Sequence, residues 1–163
     1  MSTPRCGVPD VHNHGMLHSI SNYTFFGGSP RWSKYDLAYN FLPDSLQVVS
    51  FQVLRPVVAR AIGFYRGDHG DGIPLDGPQN ILAHAFSPPD GRFHYDADES
   101  WSSNPTRSQV DLESVTVHEL GHNLGLDHSQ YQSAIMYPLI PLGPIKRNLG
   151  QVDIIGLQAL YGY

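Results

Sequence analysis

Along the chain the apolar positions change period, and the elements follow from those changes. Residues 1–30 are rich in Gly, Pro, Asn, Ser and His and hold no apolar repeat longer than a turn, which predicts an extended leader. From Lys34 to Phe41 apolar and aromatic residues alternate up to Pro43, the pattern of a strand. Leu46, Val49, Val53, Val57 and Ala61 recur at intervals of three and four, as on one face of a helix, with Pro56 interrupting it. Ile62 to Tyr65 and Ile81 to Phe86 read as strands, separated by a Gly/Asp/Pro loop over 66–78. A helix opens at Asp111, a capping residue, carries Val117, Leu120 and Leu124 as its apolar stripe, and stops at Gly125. A last helix spans Gln151 to Leu160, with Ile154, Leu157 and Leu160 as its buried stripe. No internal repeat or low-complexity tract is present.

At 163 residues the chain has enough material for one core, so a single folding unit is expected. A net charge of -5 removes the basic excess that nucleic-acid binding requires. No apolar run is long enough to span a bilayer, and Met1 is not followed by the charged and then apolar segments of a signal peptide. Cys6 is the single cysteine, so no intramolecular disulfide can form. The nine histidines are concentrated from His69 onward, which points to metal.

The chemistry is carried by His118-Glu119-Leu120-Gly121-His122. Two imidazoles one helical turn apart can reach a single tetrahedral zinc, and Glu119 between them faces the open position. The helix cannot supply a third ligand without crowding. Gly125 permits the backbone turn that brings His128 back to the metal. Three neutral ligands leave one position for water, whose proton Glu119 takes as general base and later passes to the leaving amine. Met136, in Ala134-Ile135-Met136-Tyr137-Pro138, completes the pattern of zinc peptidases with a Met-turn.

With Val110 to Val115 ahead of the zinc motif and Ser129 directly after His128, the sequence resembles the matrixins, the matrix metalloproteinase family, and looks most like their plant members. The resemblance implies an α+β metzincin-type catalytic domain, a twisted mixed sheet with an active-site helix and a C-terminal helix. It also implies a zinc-dependent endopeptidase acting on extracellular proteins, located outside the cell or at its surface. Pro4-Arg5-Cys6-Gly7-Val8-Pro9-Asp10 is similar to the family's cysteine switch, in which the leader thiolate takes the fourth zinc position and keeps the enzyme latent. On this reading residues 1–22 are a propeptide remnant and 23–163 the catalytic domain. An alternative role for Cys6 as a catalytic nucleophile lacks a helix start behind it.

The family likeness further implies a structural zinc on His69, Asp71, His84 and His94, a closed site of three imidazoles and a carboxylate. It implies at least one calcium at Asp76, Gly77, Gln79, Ile81, Asp96 and Glu99. A further calcium site common in animal members is not expected, because Arg92 stands where a carboxylate belongs. Substrate is expected to lie extended along the strand containing Ala83 and Ala85, with an apolar side chain after the scissile bond entering a pocket walled by Val115, Pro138 and Ile140. The protein is expected to act as a monomer, and Asp153 is expected to receive an N-terminal ammonium freed by cleavage between Leu17 and Tyr23.

The pattern departs from the family at one place. Ala61 runs directly into Ile62, so the back half of the first helix and the edge strand that should follow it are missing. The chain also begins inside the switch motif. A competing expectation is therefore a truncated, catalytically inactive remnant that keeps the ligands without a productive cleft.

Overall fold

A computed structural model describes residues 3–10, 23–33, 40–41 and 61–162. The leader is not merely extended. Arg5–Cys6 forms β1, and it adds to the main sheet beside Ile81–Ala85 (β4) in parallel. Asn40–Phe41 is β2 and pairs in parallel with Ala61–Tyr65 (β3), which pairs in parallel with Phe93–Asp96 (β5). β4 and β5 are antiparallel, with His84 opposite His94. The order across the five-stranded mixed sheet is β1-β4-β5-β3-β2. A small parallel pair, Trp101–Ser102 (β6) with Val110–Asp111 (β7), precedes the zinc-motif helix.

Ala61 belongs to β3, not to a helix end, since its backbone pairs with Asn40. The remainder of the helix expected up to that point, and residues 34–39 of the expected strand, lie outside the described residues.

Leu112–Asn123 (α1) starts where predicted: the Asp111 carboxylate accepts from the Ser114 amide at 3.0 Å, and Glu113 in the first turn complements the helix dipole. Its buried face differs from the expected stripe. Val117, Leu120 and Leu124 are half-buried, while Ser114, Val115, His118, Glu119, Gly121, His122 and Asn123 are buried. The polar side chains face inward because they meet the sheet on one side and the Met136 turn on the other, so apolar periodicity alone marks the flank. Val115 packs with Ile62, Leu82, Phe93 and Tyr95 under the sheet. Val117 packs with Leu126, Ile135 and Met136.

Gln151–Tyr161 (α2) closes the fold. Its buried residues are Asp153, Gly156 and Leu160, whereas Ile154 is 37% exposed, so only part of the expected stripe faces inward. Gly156 packs closely there: a Cβ would stand 3.1 Å from the Tyr23 Cβ. No helix among the described residues is long and apolar enough to cross a membrane.

Candidate metal centres and cleft

Gly125 turns the chain out of α1 at φ +102°, and a Cβ there would lie 2.2 Å from the Pro30 carbonyl oxygen, so both backbone and space demand glycine. Leaving the helix here brings His128 back beside His118 and His122, with ring centroids 5.3 and 4.7 Å away. Each imidazole has its Nδ1 satisfied: His118 by the Ile135 carbonyl at 2.7 Å, His122 by the Leu126 carbonyl at 2.8 Å, and His128 by the Asp10 carboxylate at 2.8 Å. These bonds fix the tautomer and leave Nε2 as a lone-pair donor on all three rings.

Cys6 Sγ lies 3.5 Å from His122 Nε2, and the ligand atoms of Cys6, His118, His122 and His128 fall within 4.8 Å of one another. Sulfur and nitrogen bonded tetrahedrally to zinc sit roughly 3.6 Å apart, so this group has the right size. The orphaned atoms agree. His118 Nε2, His128 Nε2 and both Glu119 carboxylate oxygens are buried without a hydrogen-bond partner among the described residues, a costly arrangement unless another group completes it. Burial pushes His118 down to about 3 and His122 well below its ordinary value, which keeps both neutral as metal ligation requires. Burial raises Glu119 to about 8, in the range useful to a group that must take and release a proton.

The second group is tighter. Asp71 Oδ2 lies 2.9 Å from His69 Nε2, 2.7 Å from His84 Nε2 and 2.8 Å from His94 Nδ1. Atoms around one zinc stand roughly 3.3 Å apart at bond lengths of about 2.0 Å, so four donors of this kind fit a closed tetrahedral site. Burial lowers His94 to about 4.

The residues expected to hold calcium surround a single loop. Asp76, Asp96 and Glu99 accept amide protons from Ile81, Gly77 and Gln79 respectively. Burial raises Glu99, and the neighbouring charges of Asp96 and Asp76 add to it, so the loop concentrates negative charge. Arg92 is paired with Asp90 at 2.9 Å and stacks over the Phe86 ring at 4.3 Å.

The leader occupies the cleft. Gly7 donates to the Ala83 carbonyl at 2.8 Å, Cys6 to the Pro138 carbonyl at 3.0 Å, and Ile140 to the Pro4 carbonyl at 2.9 Å. Beside it, a cavity of about 400 Å³ is lined by His118, Ile135, Tyr137, Leu139, Ile140 and Lys146, among others. Ile140 is part of that lining. Val115 packs in the sheet core and Pro138 meets the leader through its carbonyl; neither is among the residues that line this cavity. Ala83 and Ala85 sit in β4, the strand that β1 covers.

Two residues gain a place that sequence did not give them. Asp10 is held by Arg5 at 2.8 Å and accepts from His128, contacts that its position four residues after Cys6 could have signalled. Asp153 is 1% exposed and accepts from the amides of Gly150, Ile135 and Met136 at 2.7, 2.8 and 3.2 Å. In this form the carboxylate holds the Met136 turn under the histidines.

Comparison with known proteins follows the same lines. The family model described as Matrixin matches residues 57–162. Metalloendoproteinase 2-MMP of Arabidopsis thaliana is 41% identical, over 98% of this chain and 55% of its own length. Metalloendoproteinase 1 of Glycine max is 44% identical, over 98% of this chain and 63% of its own. Matrilysin of Homo sapiens is 37% identical, over 99% and 67%. The chain thus spans between about half and two thirds of the curated relatives it matches. These alignments run over 210, 193 and 189 positions against 163 residues here, so the relatives carry segments with no counterpart in this chain. A mixed sheet, a histidine-bearing helix with its Met136 turn, and likeness to metalloendoproteinases over nearly the whole of this chain lead to one assignment: this chain belongs to the matrixin family of zinc metalloendopeptidases.

Proposed function

We propose that this chain is itself a zinc-dependent endopeptidase, with zinc on His118, His122 and His128, Glu119 as general base, and Cys6 holding it latent. The observation that carries the reading is the set of buried orphan atoms, Nε2 of His118 and His128 and both oxygens of Glu119, together with the Cys6 sulfur lying within 4.8 Å of the ligand nitrogens of the three histidines. Zinc bound there supplies Lewis acidity toward water and the scissile carbonyl. Glu119 takes the proton of the attacking water and returns it to the leaving amine, a cycle favoured by its raised affinity for protons. The three Nδ1 acceptors hold the rings in the ligating tautomer.

Residues 1–22 act as the propeptide remnant and 23–163 as the catalytic domain. The substrate is an extended protein segment outside the cell or at its surface, and the enzyme works as a monomer. Pairing of β1 with β4 and with Pro138 and Ile140 supports an extended occupant, because a peptide in place of the leader meets the same donors and acceptors. His69, Asp71, His84 and His94 hold a structural zinc, and the Asp76, Gly77, Gln79, Ile81, Asp96 and Glu99 loop holds a calcium.

The shortfall against its relatives supports a second reading, an inactive remnant that binds zinc without cleaving. Hydrolysis of a quenched peptide that disappears in Glu119→Ala while zinc remains bound establishes the enzyme. Zinc binding with no hydrolysis in either chain establishes the remnant.

A further inference from the structure

The cavity beside His118 is walled by Ile135, Tyr137, Leu139 and Ile140, yet it also contains a cation. Lys146 is half-buried in its lining. Its ammonium donates to the Gln132 carbonyl at 2.7 Å and to the Ala134 carbonyl, which uses two of its three protons. Among the described residues no carboxylate lies within ion-pair distance of it. Asp153, whose charge it feels, is already engaged by three amides. Of the other polar groups nearby, Ser114 Oγ donates to Asp111 and accepts from the Lys146 amide and His118 Nδ1 is bonded to Ile135, while Thr3, Gln132 and Tyr137 also line the cavity. The ammonium lies 5.9 Å from the Tyr137 ring centroid, and its third proton has no hydrogen-bond acceptor among the described residues, so Lys146 is a cation in a largely apolar lining with no carboxylate beside it.

We propose that Lys146 makes this cavity selective for a substrate side chain with an unbranched apolar stem and an oxygen acceptor at its tip, glutamate ahead of glutamine. This rests on the endopeptidase reading and sharpens it: an apolar occupant satisfies the walls and leaves the ammonium unpaired, whereas a carboxylate satisfies both. The two carbonyls that hold Nζ fix it in position, so little ordering is needed when the acceptor arrives.

The test uses the full chain with Cys6→Ala, loaded with zinc, and peptides identical except for Glu, Gln, Leu or Lys after the scissile bond. Rates are read on this chain. Dissociation constants are read by fluorescence anisotropy on the same chain carrying Glu119→Ala as well, so binding reports even where cleavage does not. The Glu peptide should be preferred over Leu by on the order of tenfold, Gln should fall between, and Lys should be poorest. Lys146→Met should invert the Glu-to-Leu ratio, and Lys146→Arg, which keeps the cation if loss of the lysine impairs folding, should preserve it. Leu equal to or better than Glu, or a ratio unmoved by Lys146→Met, overturns the proposal. Selective binding without hydrolysis removes the enzyme reading and leaves the selectivity standing; no binding of any peptide overturns both.

Discussion

The carboxylate of Asp10, in the leader, accepts a hydrogen bond at 2.8 Å from Nδ1 of His128, 118 residues later in the chain. The leader thus reaches the histidine cluster twice, once through the Cys6 sulfur and once through the acceptor behind the third ring. Arg5 steadies the arrangement by pairing with Asp10 at 2.8 Å.

Asp10→Asn should loosen the leader. Asp10 is one-third exposed, so solvent screening limits the loss to about 1 kcal/mol, or about fivefold in the population of the open leader. The rate at which an alkylating reagent modifies Cys6, buried in the closed form, should rise accordingly. An unchanged rate would show that the thiol and the backbone pairing alone hold the leader.

Glu119→Gln should leave zinc in place and lower peptide hydrolysis by about a hundredfold or more in a chain freed of the Cys6 thiol, because the amide cannot take a proton from water. Retention of activity would move the base elsewhere.

Asp71→Asn should release about one zinc per chain and lower the melting temperature, since Asp71 Oδ2 is the common neighbour of His69, His84 and His94. Metal analysis after dialysis, paired with a thermal scan, reads both. A chain that keeps its full zinc content would separate this cluster from metal binding.

Gly121→Ala sets two effects against each other. Alanine favours the helix by about 1 kcal/mol, but its Cβ would stand 2.2 Å from the Met136 sulfur. Overpacking of about 1–3 kcal/mol should win and lower the denaturation midpoint. A more stable variant would mean that the Met136 side chain moves aside freely.

Asp111 carries a pH prediction. Burial by itself raises its pKa, but Arg147 and the Ser114 hydroxyl and amide outweigh that and hold it below the ordinary carboxylate range. A depressed folded-state value stabilises the fold fully above the unfolded pKa of about 3.9 and loses that contribution as pH falls through the folded value. Thermal scans from neutral pH downward should show wild type losing stability in that window, while Asp111→Asn, less stable at neutral pH, loses less on acidification. Parallel pH curves would count against it.

Much of the site was legible because its chemistry is local in sequence. The spacing of His118 and His122 on one helix, the capping Asp111, and the break at Gly125 each follow from backbone geometry within a few residues. The stripe on α1 was misread because period alone reports where apolar residues recur, not whether a polar face is covered from two sides. Ile154 misled for the related reason that an apolar residue on the last helix need not have a partner to cover it.

By itself, then, the sequence determined the zinc-motif helix, its ligand types, the leader cysteine and the strands around the second histidine group, since short-range sterics and ligand spacing act along the chain. Tertiary structure alone decided which atoms complete them: the Ile135 and Leu126 carbonyls and the Asp10 carboxylate behind the three rings, Asp153 under the Met136 turn, and the Lys146 ammonium in the cavity wall. Those partners are contributed by distant segments, and only folding brings their oxygens and protons within hydrogen-bond reach.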